Sequence, residues 1–204
     1  MSGTDPNKIK EPISDYGKEY TYSDYIHFQF EEMVELIRGQ IFKMTPAPKA
    51  IHQKISSELH GNIWTFLKDK SCTVYAAPFD VVLPLSNEKK ENATTVVQPD
   101  ICIICDQSKI YEEGCLGAPD LVIEILSKST SKKDLKDKYS IYEEVGVKEY
   151  WIVMPNERLV EVFHLNNERF YRVEIYTETE KVSSVIFPDL AIDLTEVFPK
   201  EKYT

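Results

Sequence analysis

The sequence predicts an α/β fold, a mixed β-sheet flanked by helices with a C-terminal β-hairpin, and three observations carry that prediction. PDLVIEIL at 119–126 is apolar and β-branched with no alternation, as expected of a strand buried on both faces. STSKKDLKDKYSIYEEVG follows with a Ser/Thr start, a helical apolar stripe and a glycine stop. KEYWIVMP is then a second buried strand, so strand, helix and strand form a crossover within one sheet.

Residues 1–18 are polar, contain Pro6 and Pro12 and show no periodicity, which predicts a loose arm ahead of one domain over 19–204. Ser23 can cap a short helix through about Val34, and ELIRGQIFKM then reads as two short strands around an Arg38-Gly39 turn, with Glu35 at the junction. Over 51–68, Ile51, Ile55, Leu59, Ile63, Trp64 and Leu67 recur at spacings of three and four, an amphipathic helix that should lie on the sheet. CTVYAAPFDVVLPL and VVQPDICIIC read as strands joined by the exposed loop SNEKKENATT. LVEVFHL-NN-ERFYRVEIY predicts a hairpin around Asn166-Asn167, with a short closing segment through Val197 and Phe198.

A chain of 204 residues, 42% hydrophobic and 28% charged, suits one globular domain with a proper core. Its formal charge of -10 repels a phosphate backbone as a whole, so nucleic-acid contact has to be local. No apolar run approaches the roughly 20 residues of a membrane span, and MSGTDPNKIKEP lacks a leader's apolar core, so a cytoplasmic protein with reduced thiols is expected. Cys72, Cys102, Cys105 and Cys115 read as core cysteines, because the CxxC of ICIIC lies in a strand and has no second ligand pair for zinc. Neither GxGxxG nor GxxxxGK[ST] occurs, which leaves a dinucleotide or P-loop site without support.

Glu124 stands in the middle of the apolar run at 119–126. A buried carboxylate costs several kcal/mol unless a cation, a metal or a proton offsets it. On the following helix, Leu135, Tyr139, Tyr142 and Val145 form the apolar stripe, and Lys138 falls on it while Lys132, Lys133 and Lys136 point elsewhere. Lys138 is thus a candidate partner for Glu124. Asp100, opening the strand after QPD, can lie beside Glu124 on a neighbouring strand, and two adjacent carboxylates share a proton or bind a cation. Oxygen ligands beside a lysine suit Mg²⁺ or Mn²⁺ and metal-assisted phosphodiester hydrolysis. A buried ion pair between Glu124 and Lys138 with no metal explains the same pattern. Asp100 can simply cap a turn, Glu35 can belong to the acidic run with Glu31 and Glu32, and His52 can either orient a water or phosphate or cap its helix. Asp120, beside Pro119, chiefly opens its strand. The five lysines and two aspartates of 127–138 are a local excess of positive charge, so Lys128, Lys132, Lys133 and Lys136 are candidate phosphate contacts or a solvated helix face.

ELIRGQI, IHQKISSEL, QPDICII, APDLVIEILSKST, DLKDKYSIYEEVGVKEYWIV and FPDLAIDLTEVF, in this order from about Tyr20 to Phe198, resemble the family of small stand-alone restriction-endonuclease-like proteins in the PD-(D/E)xK nuclease superfamily. The resemblance implies a restriction endonuclease-like core and a Mg²⁺- or Mn²⁺-dependent endonuclease acting on DNA, working as a homodimer. It places the acidic residues at Glu35, Asp100 and Glu124. It also implies that the active-site lysine has moved from two residues after the acid, here Leu126, to Lys138 on the helix. Where the family reads VDP this chain reads VMP, with Met154 at the acidic position. The alternative is a protein of the same fold that binds nucleic acid or a partner without cutting.

Overall fold

The computed structural model describes residues 18–29, 33–44, 49–86, 88–127 and 132–199, of which 132–134 through the backbone alone. The predicted arm over 1–18 thus lies, but for Lys18, outside the described residues, as does Lys128. In chain order the elements are α1 (Tyr22–Tyr25), β1 (Val34–Ile37), β2 (Gln40–Lys43), α2 (Ala50–Leu67), β3 (Thr73–Ala76), β4 (Asp80–Val82), β5 (Val96–Val97), β6 (Ile101–Ile104), β7 (Ile110–Tyr111) and β8 (Gly114–Leu116). They continue with β9 (Leu121–Ile125), α3 (Lys132–Val145), β10 (Glu149–Met154), β11 (Leu159–Asn166), β12 (Arg169–Thr177), β13 (Lys181–Ser183), β14 (Ala191–Asp193) and α4 (Leu194–Val197).

The expected α/β class holds, with a second sheet added. One sheet runs β12-β11-β10-β9-β6-β3, the other β2-β1-β5-β4-β8-β7, and β13 pairs with β14. In the first, β9 and β10 are parallel and α3 is their crossover, while β6 runs antiparallel to β9. Both proline-containing runs divide between the sheets: the chain passes from β3 to β4 at Pro78 and from β5 to β6 at Pro99. Proline has no amide hydrogen to give a ladder, so an apolar run carrying one is two strands rather than one.

Alternation along the first sheet sorts its residues into two cores. Ile101, Ile103, Leu121, Ile123, Trp151 and Val153 face one way and pack with Ile55, Leu59, Ile63 and Leu67 of α2 and with the closing Val197 and Phe198. Cys102, Ile104, Val122, Tyr150 and Ile152 face the other way and pack with Ile141 and Tyr142 of α3 and with Ile37, Val81 and Val97 of the second sheet. By the same alternation Glu124 falls on the α3 face. Met154 ends β10 and packs with this second core.

Several details differ from the sequence reading. The first helix has four residues, and Asp24 accepts from the Thr21 backbone N–H and hydroxyl at its start; Ser23 donates instead to the Glu91 carbonyl. Val34 lies in β1 rather than ending that helix, so Glu35 is a strand residue. Trp64 lies one step off the α2 stripe and is 52% exposed, with the Lys68 ammonium over its ring. The hairpin turn is Asn167-Glu168, one residue later than expected, both with positive φ, while Asn166 still pairs with Arg169. The cysteines are not all reduced: Cys72 and Cys105 form a disulfide, and Cys102 and Cys115 are free and buried. Thr73 pairs with Ile104 across β3 and β6, so the next residues outward, Cys72 and Cys105, face each other. That pairing is invisible when ICIIC is read along one strand. Cys102 and Cys105 do point to opposite faces, each joining a different core.

Candidate active site

Two sheets and one helix meet at a cluster of three carboxylates and one ammonium. Glu124 comes from β9, Glu35 from β1 and Lys138 from α3, and Asp100 immediately precedes β6. Ile101 pairs with Ile123, so continuing the antiparallel register by one step sets Asp100 opposite Glu124. The Lys138 Nζ lies 3.0 Å from Glu124 Oε1 and 2.9 Å from Glu35 Oε1. Lys138 reaches Glu124 because α3 returns over the strand it has just left.

Each carboxylate is held by a second donor. Tyr142, one helical turn beyond Lys138, donates its hydroxyl to Glu124 Oε1 at 2.7 Å. The Gln98 backbone N–H donates to Glu35 Oε1 at 2.8 Å, fixing β1 to the chain that leads into β6. Asp100 Oδ2 accepts the Ile125 N–H at 2.7 Å, and Asp100 Oδ1 lies 3.2 Å from His52 Nε2 on α2. Asp100 is therefore tied to the residue after Glu124 and to the helix on the far face of the sheet.

Burial sets the electrostatics. Glu124 is 8% exposed and Glu35 6%. Burial, opposed by Lys138 and assisted by Asp100 and Glu35, pushes Glu124 up to about 7. Burial works against the Lys138 charge, but Glu124 and Glu35 together outweigh it and raise the ammonium well above the ordinary lysine value. Burial likewise opposes a charge on His52, and the hydrogen bond and charge of Asp100 overcome it, raising the imidazole. Three carboxylates thus gather around one ammonium, with the His52 imidazole against Asp100.

The cluster lies in a cavity of about 280 Å³ with Gln98, Tyr150, Phe42 and Leu135 among its walls and Lys43 and Lys49 also lining it. The structure thus brings Glu35, Asp100, Glu124, Lys138 and His52 together. Lys136 is exposed on α3, and the side chains of Lys132 and Lys133 lie outside the described residues. Asp120 is elsewhere: it accepts from the Cys105 N–H and pairs with Lys148, as a residue opening a strand does. Sequence reasoning missed Tyr142, which it counted only as part of the apolar stripe, although the i, i+4 spacing from Lys138 was there to read. It missed Gln98 and Tyr150 as well, and nothing local marks either.

A family model described as "Uma2: Putative restriction endonuclease" matches residues 20–195. The chain belongs to that family. No curated protein matches it. Among solved structures it is similar to the crystal structure of "a putative nuclease belonging to DUF820 from Anabaena variabilis ATCC 29413", with a TM-score of 0.70 at 21% identity over 88% of this chain and 97% of that one. That likeness shows the shared fold. No helix among the described residues is long and apolar enough to cross a membrane.

Proposed function

We propose that this Uma2-family protein is a divalent-metal-dependent endonuclease that hydrolyses phosphodiester bonds in DNA, with Glu35, Asp100, Glu124 and Lys138 as its catalytic set. The observation that carries the reading is the gathering of three carboxylates around one ammonium: Lys138 is shared by Glu124 and Glu35, and Asp100 stands beside them against the His52 imidazole. A buried excess of carboxylate is stable only with a proton or a further cation.

The donor set fits Mg²⁺ or Mn²⁺. Asp100 and Glu124 offer hard oxygen ligands on adjacent strands, and a backbone carbonyl would complete the protein's share of the shell. No group of three or more His, Cys, Asp or Glu among the described residues is arranged to hold a metal ion, so an ion at Asp100 and Glu124 would take most of its ligands from water and phosphate. Such an ion supplies Lewis-acid polarisation of a phosphoryl oxygen and a lowered water pKa.

The chain's own residues do the rest. Lys138 steadies the attacking water or the charge that develops on the phosphoryl group, where a fixed ammonium in a low-dielectric site is most effective. Glu35 holds that ammonium in place, Tyr142 fixes the Glu124 carboxylate, and His52 anchors Asp100 and serves as an accessory group toward water or phosphate. Exposed Lys136, with Lys128, Lys132 and Lys133, contacts the backbone farther along the strand. A homodimer belongs to the same reading, one site for each strand.

Cleavage of plasmid and oligonucleotide DNA with and without Mg²⁺ or Mn²⁺ tests the activity, and calorimetric titration with Mn²⁺ tests the site. Binding is expected in the wild type and strongly weakened in Asp100→Ala. Absence of Mn²⁺ binding, or binding unchanged by Asp100→Ala, would remove the metal site.

A further inference from the structure

The cavity beside the cluster has walls that phosphodiester chemistry does not need. Phe42 is the cross-strand partner of Glu35 on β2, so its ring stands on the same face of the hairpin as the carboxylate that holds Lys138. Ile37, Met33, Met44, Leu126 and Leu135 continue an apolar wall around it. Among the polar residues that interrupt that wall, Gln98 and Tyr150 each carry a buried group without a partner. The Gln98 amide nitrogen donates to Asp80 at 2.7 Å, which fixes its Oε1 as an acceptor, and that buried oxygen has no partner. Tyr150 is fully buried and its hydroxyl has no partner either. Both residues line the cavity.

An aromatic ring, thioether and aliphatic sides, and isolated hydrogen-bonding groups of both kinds suit a flat heteroaromatic ligand with a polar edge. The placement of the cluster points to the same ligand. Lys138, 12% exposed, and the two glutamates line the cavity from largely buried positions, below the level of a surface ledge. A phosphate within a stacked duplex is held on the outside of a wide, stiff helix. To reach these residues its nucleotide has to leave the stack, and the base then lies against the apolar wall.

On the reading that the site cuts phosphodiesters, we infer that the cavity holds one unstacked nucleobase beside the scissile phosphate. The preferred substrate is then single-stranded or locally unpaired DNA rather than continuous duplex. Phe42 is the stacking face, and Gln98 and Tyr150 meet the edge of the base. A chain of charge -10 is suited to this mode, because recognition of one splayed nucleotide needs few backbone contacts.

The test compares three oligonucleotides of one sequence in Mg²⁺: a single strand, a full duplex, and a duplex with a central mismatch. The single strand and the mismatched duplex are expected to have kcat/KM at least about tenfold above the full duplex, and Phe42→Leu, which keeps the wall apolar but removes the ring, should lower them about tenfold. The melting temperature of Phe42→Leu is measured on the same sample, and the wild-type preference stands without the variant. Full duplex cut as fast as single strand overturns this inference and leaves the nuclease reading intact. If nothing is cut, the nuclease reading fails, and fluorescence anisotropy in EDTA still decides the pocket. Tighter binding of the single strand, lost in Phe42→Leu, supports it; equal binding or none overturns it.

Discussion

Glu124 carries the site's response to pH. Its carboxyl in the folded protein sits at about 7, pushed up from 4.5 by burial. A pKa raised on folding stabilises the native state fully below the unfolded value and progressively less as pH rises through the folded one. The metal-free protein is therefore expected to lose melting temperature between about pH 4.5 and 7, and Glu124→Gln should flatten that decline. Metal binding needs the carboxylate, so at sub-saturating Mg²⁺ cleavage should rise by up to about tenfold per pH unit below the bend and level above it. Tyr142→Phe removes a hydrogen bond that favours the charged form, so the bend should move to higher pH; an unmoved bend counts against Tyr142 as the residue that holds Glu124. At this scale Glu124 and Lys138 were legible because each is a charge in an apolar pattern. Glu35 was ambiguous because it follows Glu31 and Glu32, and its burial depends on a strand whose start the local signals misplaced.

The crossover helix α3 is the element that makes the site, since it carries both Lys138 and Tyr142 back over β9. It ends at Gly146, whose φ of +85° is a backbone conformation that glycine adopts without strain and where no atom lies within 4 Å of an added Cβ. Gly146→Ala should destabilise the fold by about 1 kcal/mol through backbone strain alone. The cleavage rate well below the melting temperature should be unchanged; a large loss of activity would mean that the helix end positions Lys138 more tightly than this account holds. The helices α2 and α3 and the strands β9 and β10 were readable from periodicity and apolar runs. Of the second sheet only the β1–β2 hairpin around Arg38-Gly39 was readable, because the other strands are two or three residues long and the apolar runs that supply β4 and β5 continue across Pro78 and Pro99 into the other sheet. The Cys72–Cys105 disulfide was hidden for a related reason: it depends on which strands pair, and that is fixed by long-range packing.

For the whole molecule, the expected assembly is a homodimer, twice the 23.6 kDa of the chain by light scattering at micromolar concentration. A monomer there would count against the proposed homodimer. The central claim is that Lys138 belongs to a metal-dependent catalytic site and is not merely the counter-charge of a buried glutamate. The most direct test is Lys138→Met, with a melting curve and a cleavage rate taken on one sample, each with and without saturating Mg²⁺, beside Glu124→Gln. Without metal the mutant leaves Glu124 and Glu35 buried together and should lose roughly 3 kcal/mol or more. With Mg²⁺ the cation replaces the lost charge, so stability should largely return while cleavage stays down by orders of magnitude. A mutant that melts as early in saturating Mg²⁺ as without it, or one that cuts at the wild-type rate, would contradict the account.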